Sequence, residues 1–84
     1  MLHYLIVCRS LTYAQRAAKV LERAGITAIV MRPPAEITGE GCMYCVKVSE
    51  KRISQALITL KNAGLNRESV YMLDDDGHGR EVSM

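Results

Sequence analysis

The chain has 84 residues, of which 49% are hydrophobic and 24% charged, and a formal net charge of +2. This length predicts one small domain, and so small a net charge gives no indication of nucleic acid or a membrane surface as a partner. No apolar run approaches the ~20 residues that a membrane span needs, and the N-terminus lacks the features of a signal peptide. The three cysteines, an odd number without a secretion signal, favour free thiols in a reducing cytoplasm.

The first half of the chain predicts a strand, a helix and a second strand. Residues 2–8 form an almost unbroken apolar run, which is typical of a central strand. Ser10 is a candidate N-cap, and apolar residues then recur at helical spacing until Gly25 ends the helix. The β-branched segment 26–32 predicts the second strand, which a pair of prolines ends.

The second half repeats this pattern after a long loop that contains glycine. Residues 42–49 predict the third strand, and an apolar stripe beginning at Ile53 predicts a second helix that ends at Gly64. Residues 69–73 predict the fourth strand. The remainder, 74–84, is acidic at its start and rich in glycine, so we expect a flexible tail.

The order of these elements predicts an α+β fold for residues 1–73. Strand, helix, strand, strand, helix, strand is the ferredoxin-like βαββαβ two-layer sandwich, whose antiparallel sheet has the strand order 4-1-3-2. Two helices can cover only one face of that sheet, and the other face also carries apolar side chains. We therefore expect a second copy of the chain to cover it, in a homodimer or a higher oligomer.

The predicted topology gathers several polar and sulfur-bearing residues at one end of the sheet. The end of strand one, Cys8, should lie near the start of strand three, Cys42, because these two strands are antiparallel neighbours. The first helix begins at the same end, and helix N-termini and nearby cations lower the pKa of a thiol. The candidate ligand-binding residues at this end are Arg9, Ser10, Arg32 and Arg67.

The CxxC formed by Cys42 and Cys45 begins a strand, whereas a redox CxxC usually begins a helix. Three residues of extended strand span ~10 Å, while a disulfide needs Cα atoms within about 7 Å, so this pair would need a turn or a bulge. Pairing of Cys8 with Cys42 is geometrically easier if their side chains share a face of the sheet. The competing interpretation is that all three cysteines are small residues that fill the core or an interface.

Metal and nucleic-acid sites have weaker support. A structural zinc ion needs four ligands, and His3 and His78 are both placed away from the CxxC, so we expect no metal within one chain. Two CxxC pairs that meet across a dimer remain an alternative. Tyr4 and Tyr44 fall on central strands, but the basic, aromatic signature of an RNA-binding module is missing, so we interpret both as core or interface residues. We expect no nucleic acid, no membrane and no cofactor.

Several short segments together resemble a known family. They are "YLIVCRS", "AGI" and "PPAEIT", followed by Cys42 leading into "YCVKV". The chain resembles the selenium/sulfur carrier protein-like family, a small domain of unknown function, over nearly all of residues 4–73. It departs from the family pattern at Ala35, where arginine is common, and at Met43, where glycine is common.

The resemblance implies a thiol carrier that is not an enzyme, or is only weakly catalytic. Cys42 would hold sulfur or selenium, Arg9 or Arg32 would favour its thiolate, and Cys45 or Cys8 would act as a resolving thiol. The partner would be a protein that donates or accepts the sulfur or selenium. The alternative hypothesis is a regulatory module of the same fold that binds a ligand or a protein without cysteine chemistry.

Overall fold

The computed structural model describes residues 2–33, 44–65, 69–73 and 79–82, which form two helices against one sheet. The elements, in chain order, are β1 (His3–Cys8), α1 (Leu11–Arg23), β2 (Ile29–Met31), β3 (Tyr44–Ser49), α2 (Ile53–Asn62), β4 (Ser69–Leu73) and β5 (Gly79–Val82). A single 3₁₀ turn, Glu50–Arg52, leads into α2. No helix in these ranges is long and apolar enough to span a membrane.

The predicted α+β class and the antiparallel sheet are confirmed, but the predicted four-strand order is not matched. The sheet has five strands in the order β2-β3-β1-β4-β5, and every neighbouring pair is antiparallel. The difference is β5, which lies in the segment that the sequence predicted as a flexible tail. It pairs with the edge of β4, so that Val82 stands opposite Val70 and packs against the core on the helix side.

Local signals set the ends of α1. The Ser10 Oγ accepts a hydrogen bond from the Tyr13 backbone N–H at 3.2 Å, which confirms Ser10 as the N-cap. At the other end Gly25 has φ +82°, and the Ile26 N–H donates to the Leu21 carbonyl at 2.9 Å. This is a Schellman end, which needs a residue with positive φ and therefore favours glycine.

The core lies on both sides of the sheet. On the helix side, alternate strand residues such as Ile6 and Val46 pack with the apolar faces of α1 and α2. On the other side, Leu5 (0% exposed), Val7 (1%) and Cys45 (0%) form a second, smaller cluster. The sequence predicted that this face would need a second copy of the chain, but its centre is already buried within the single chain. The homodimer stays a prediction.

Candidate functional site

The candidate site is the end of the sheet where β1 ends and β3 begins. Cys8 is the last residue of β1 and pairs with Tyr44, the first residue of β3. Arg9 and Ser10 follow Cys8 directly, and α1 begins at Leu11. We call this end of the sheet the cysteine edge; it comprises Cys8, Arg9, Ser10, Arg32 and Tyr44.

Arg32 reaches the cysteine edge from β2. Met31 is the last residue of β2 and pairs with Cys45. Arg32 follows Met31 in the chain and lies beside Tyr44, the first residue of β3. Its guanidinium carbon lies 5.5 Å from the centroid of the Tyr44 ring, which is cation–π distance. The ring therefore holds a cation beside the point where the chain enters β3.

Cys42 and Arg67 lie outside the described residues. In the sequence, Cys42 precedes Tyr44 by two residues and Arg67 precedes Ser69 by two. Ser69, the first residue of β4, pairs with Val7 near the end of β1, so β3 and β4 both begin at the cysteine edge. The proximity of Cys42 to Cys8 and the role of Arg67 stay predictions.

Cys8 is buried in the core on the helix side. It is 2% exposed, and its thiol donates a weak hydrogen bond to the Ile6 carbonyl at 3.6 Å. An enclosed thiol of this kind behaves as a small apolar residue. The geometry therefore fits core packing better than the resolving role predicted from the sequence.

Cys45 is buried on the opposite face of the sheet. The register pairs Cys45 with Val7, one residue before Cys8, so the two cysteine side chains point to opposite sides of the sheet. Burial, and secondarily the charge of Cys8, raise the pKa of the Cys45 thiol to about 12. Cys45 is a free thiol. Since the thiolate is the reactive form, Cys45 is poorly suited to exchange chemistry.

The polar side chains of the cysteine edge differ in their exposure and in their hydrogen bonds. Arg9 and Arg32 are both exposed. The Ser10 Oγ accepts the capping hydrogen bond with one of its two lone pairs, and its hydroxyl proton can still donate to a ligand. Within the described ranges no group of three or more His, Cys, Asp or Glu side chains could hold a metal ion.

The family model described as "Putative Se/S carrier protein-like" matches residues 3–72, which run from the start of β1 almost to the end of β4. The chain belongs to this family. The predicted resemblance is thereby confirmed. No curated protein and no solved structure matches the chain.

The match to the Se/S carrier-like family covers all three cysteines, and the structure describes two of them. Cys8 and Cys45 lie in two different apolar clusters. The sequence did not predict the contact between Arg32 and Tyr44. Tyr44 was interpreted as a core or interface residue, and only the pairing of β2 with β3 brings the guanidinium over its ring.

Proposed function

We propose that the protein carries sulfur or selenium, and that Cys42 is the carrier thiol. The observation that carries this proposal is the burial of the other two cysteines, because a carrier thiol must be reached by a donor and an acceptor. Membership in the Se/S carrier-like family supports the same assignment. Cys42 is the remaining thiol of the chain.

The transfer needs no oxidant or reductant. The Cys42 thiolate attacks the terminal sulfur of a donor persulfide, R–S–SH. The sulfur–sulfur bond of the donor breaks, R–S⁻ leaves, and Cys42 becomes a persulfide. An acceptor thiolate then attacks the terminal sulfur of that persulfide, and Cys42 leaves as the thiolate. With selenium in the terminal position, a sulfur–selenium bond of the donor breaks, a sulfur–selenium bond to Cys42 forms, and R–S⁻ again leaves.

The electrostatics of the cysteine edge favour the thiolate that this chemistry requires. Arg9 and Arg32 add two positive charges, and the backbone N–H groups of the first turn of α1 lie at the same end. Cations and helix N-termini lower the pKa of a nearby thiol. Replacing Arg32 by Gln removes one of these charges, so we expect a higher pKa for the Cys42 thiol and slower alkylation at pH 7.

Transfer by Cys42 alone fits better than a mechanism with an internal resolving thiol. Attack by Cys45 would require its thiolate, which a pKa of about 12 makes scarce at neutral pH. Cys8 would have to leave the core on the helix side. The resolving thiol would then belong to the acceptor, which is a separate molecule.

The proposal also includes a cytoplasmic location, a ferredoxin-like fold and self-association of the chain. The odd number of cysteines supports a reducing cytoplasm as the compartment. The neighbours β4, β1, β3 and β2 within the five-stranded sheet support a ferredoxin-like arrangement with β5 added at one edge. Self-association is tested by native mass measurement across a range of protein concentrations.

The test is loading with a low-molecular-weight persulfide, followed by intact-mass measurement. Wild-type protein should gain about 32 Da per sulfur atom, and Cys42→Ser should gain none. Cys45→Ala is the matched control, which should load like the wild type because its thiol is already buried. Equal loading of Cys42→Ser and wild type would rule out Cys42 as the carrier.

A further inference from the structure

A separate cleft lies at the opposite end of the β1–β3 pair from the cysteine edge. His3 pairs with Ser49 at this end, whereas Cys8 pairs with Tyr44 at the other. The five strand steps between His3 and Cys8 correspond to ~17 Å. The cleft has a volume of about 260 Å³, and its lining includes His3, Thr27, Ile29, Lys47, Ser49 and Arg52. It does not depend on Cys42.

Sheet register brings these residues together from distant parts of the sequence. Lys47 pairs with Leu5 of β1 on one side and with Ile29 of β2 on the other, so it stands in the middle of the floor. His3 and Ser49 are the next pair along the same face. Arg52, from the 3₁₀ turn, completes one wall.

The lining is rich in groups that donate hydrogen bonds to anions. Lys47 and Arg52 carry fixed positive charges, and Thr27 and Ser49 add hydroxyl groups. The Arg52 Nη1 donates to the Gln55 Oε1 at 3.0 Å, which uses one of the five N–H donors of the guanidinium. Among the residues that the structure describes, no carboxylate lines the cleft. The nearby Glu50 is exposed and lies outside the lining.

We propose that this cleft is a second binding site, and that it takes a small phosphomonoester. Two cations and two hydroxyl groups suit the several oxygens of a phosphate, for which lysine and arginine are the usual protein partners. Ile29 is 54% exposed and offers an apolar wall for the organic part of the ligand. The volume is slightly below the ~300–1,000 Å³ of pockets for drug-sized ligands, so a sugar phosphate suits it better than a dinucleotide.

The first experiment is titration of isotope-labelled wild-type protein with ribose 5-phosphate, followed by amide chemical shifts. Shifts should concentrate at His3, Lys47, Ser49 and Arg52, and inorganic phosphate should move the same amides at higher concentration. Unphosphorylated ribose should move none of them. The proposal is wrong if ribose acts as well as ribose 5-phosphate, or if the shifts fall elsewhere or spread over all exposed cations.

Charge-removing variants provide the second experiment. Lys47→Gln and Arg52→Gln should each weaken binding of ribose 5-phosphate by about tenfold or more, because each loses a charge-assisted hydrogen bond. Lys51→Gln is the matched control, because Lys51 is an exposed cation of the same 3₁₀ turn that does not line the cleft. It should change the affinity by less than about twofold. Equal losses in all three variants would show general charge attraction and overturn the proposal.

Discussion

Alkylation of Cys45 in the native protein should be at least about a thousandfold slower than in the unfolded chain. The pKa of its thiol is raised from the ordinary 9.0 to about 12, chiefly by burial. At pH 7 this change lowers the thiolate fraction from about 1% to about 0.001%. The side chain is also 0% exposed, so a reagent has to wait until the sheet opens. Reaction in the closed state is therefore at least about a thousandfold slower, while reaction through opening is limited by the population of the opened state, which is about one in a thousand for an opening free energy of ~4 kcal/mol.

The assay is a timed pulse of N-ethylmaleimide at pH 7, with labelling measured for each cysteine by mass spectrometry. Chymotrypsin cleaves after Tyr44, so Cys42 and Cys45 fall on different peptides. The same pulse in guanidinium chloride gives the rate for the unfolded chain. In the Cys42→Ser variant the native protein should remain almost unlabelled, because Cys8 is 2% exposed as well. Native labelling of Cys45 within about tenfold of the unfolded rate would refute the burial argument.

Three further predictions concern stability. The pKa of Cys45 is raised to about 12, so above pH ~9 the unfolded chain loses this proton while the folded chain keeps it. The free energy of unfolding should therefore fall with pH, by up to about 1.4 kcal/mol per pH unit, between pH ~9 and the folded-state pKa of about 12. Urea denaturation should show that Cys45→Ala lacks this part of the slope, and identical slopes would contradict it. Ser10→Ala should lower the free energy of unfolding by about 1 kcal/mol, because the Tyr13 N–H loses the Ser10 Oγ as its acceptor. Ser10→Asp should keep most of this stabilisation, and equal losses in the two variants would argue against capping. Gly25→Ala should lower the free energy of unfolding by about 1–2 kcal/mol. The cause is the φ of +82° alone, because an added Cβ would meet no atom within 4 Å. Gly25→Asn should cost less in the same urea assay, because asparagine tolerates this conformation better.

Much of the fold follows from local signals that the sequence displays. The cap at Ser10 and the positive-φ ends at Gly25 and Gly64 are set by residues within one helical turn, so the two helices were predicted correctly. β5 was missed because its four residues include a glycine and two charged residues. Its stability comes from pairing with β4, a contact that local composition does not display.

The candidate sites also depend on contacts between residues that are distant in the sequence, which local patterns do not predict. Cys45 is fully buried because it packs with Leu5 and Val7 of β1, on the face of the sheet that the two helices leave uncovered. No sequence motif predicts the cleft that includes Lys47 and Arg52 in its lining. His3 and Arg52 are separated by most of the chain, and only the antiparallel pairing of β1 with β3 places them together.

The most direct test of the carrier function is one complete cycle of loading and unloading, followed on the Cys42 peptide. Protein loaded from a persulfide donor should carry about 32 Da on that peptide, and a small acceptor thiol should remove it and restore the free cysteine. Both steps should proceed unchanged in Cys45→Ala. Sulfur found on Cys8 or Cys45 instead, or a disulfide between Cys42 and Cys45 in place of a restored thiol, would contradict the account.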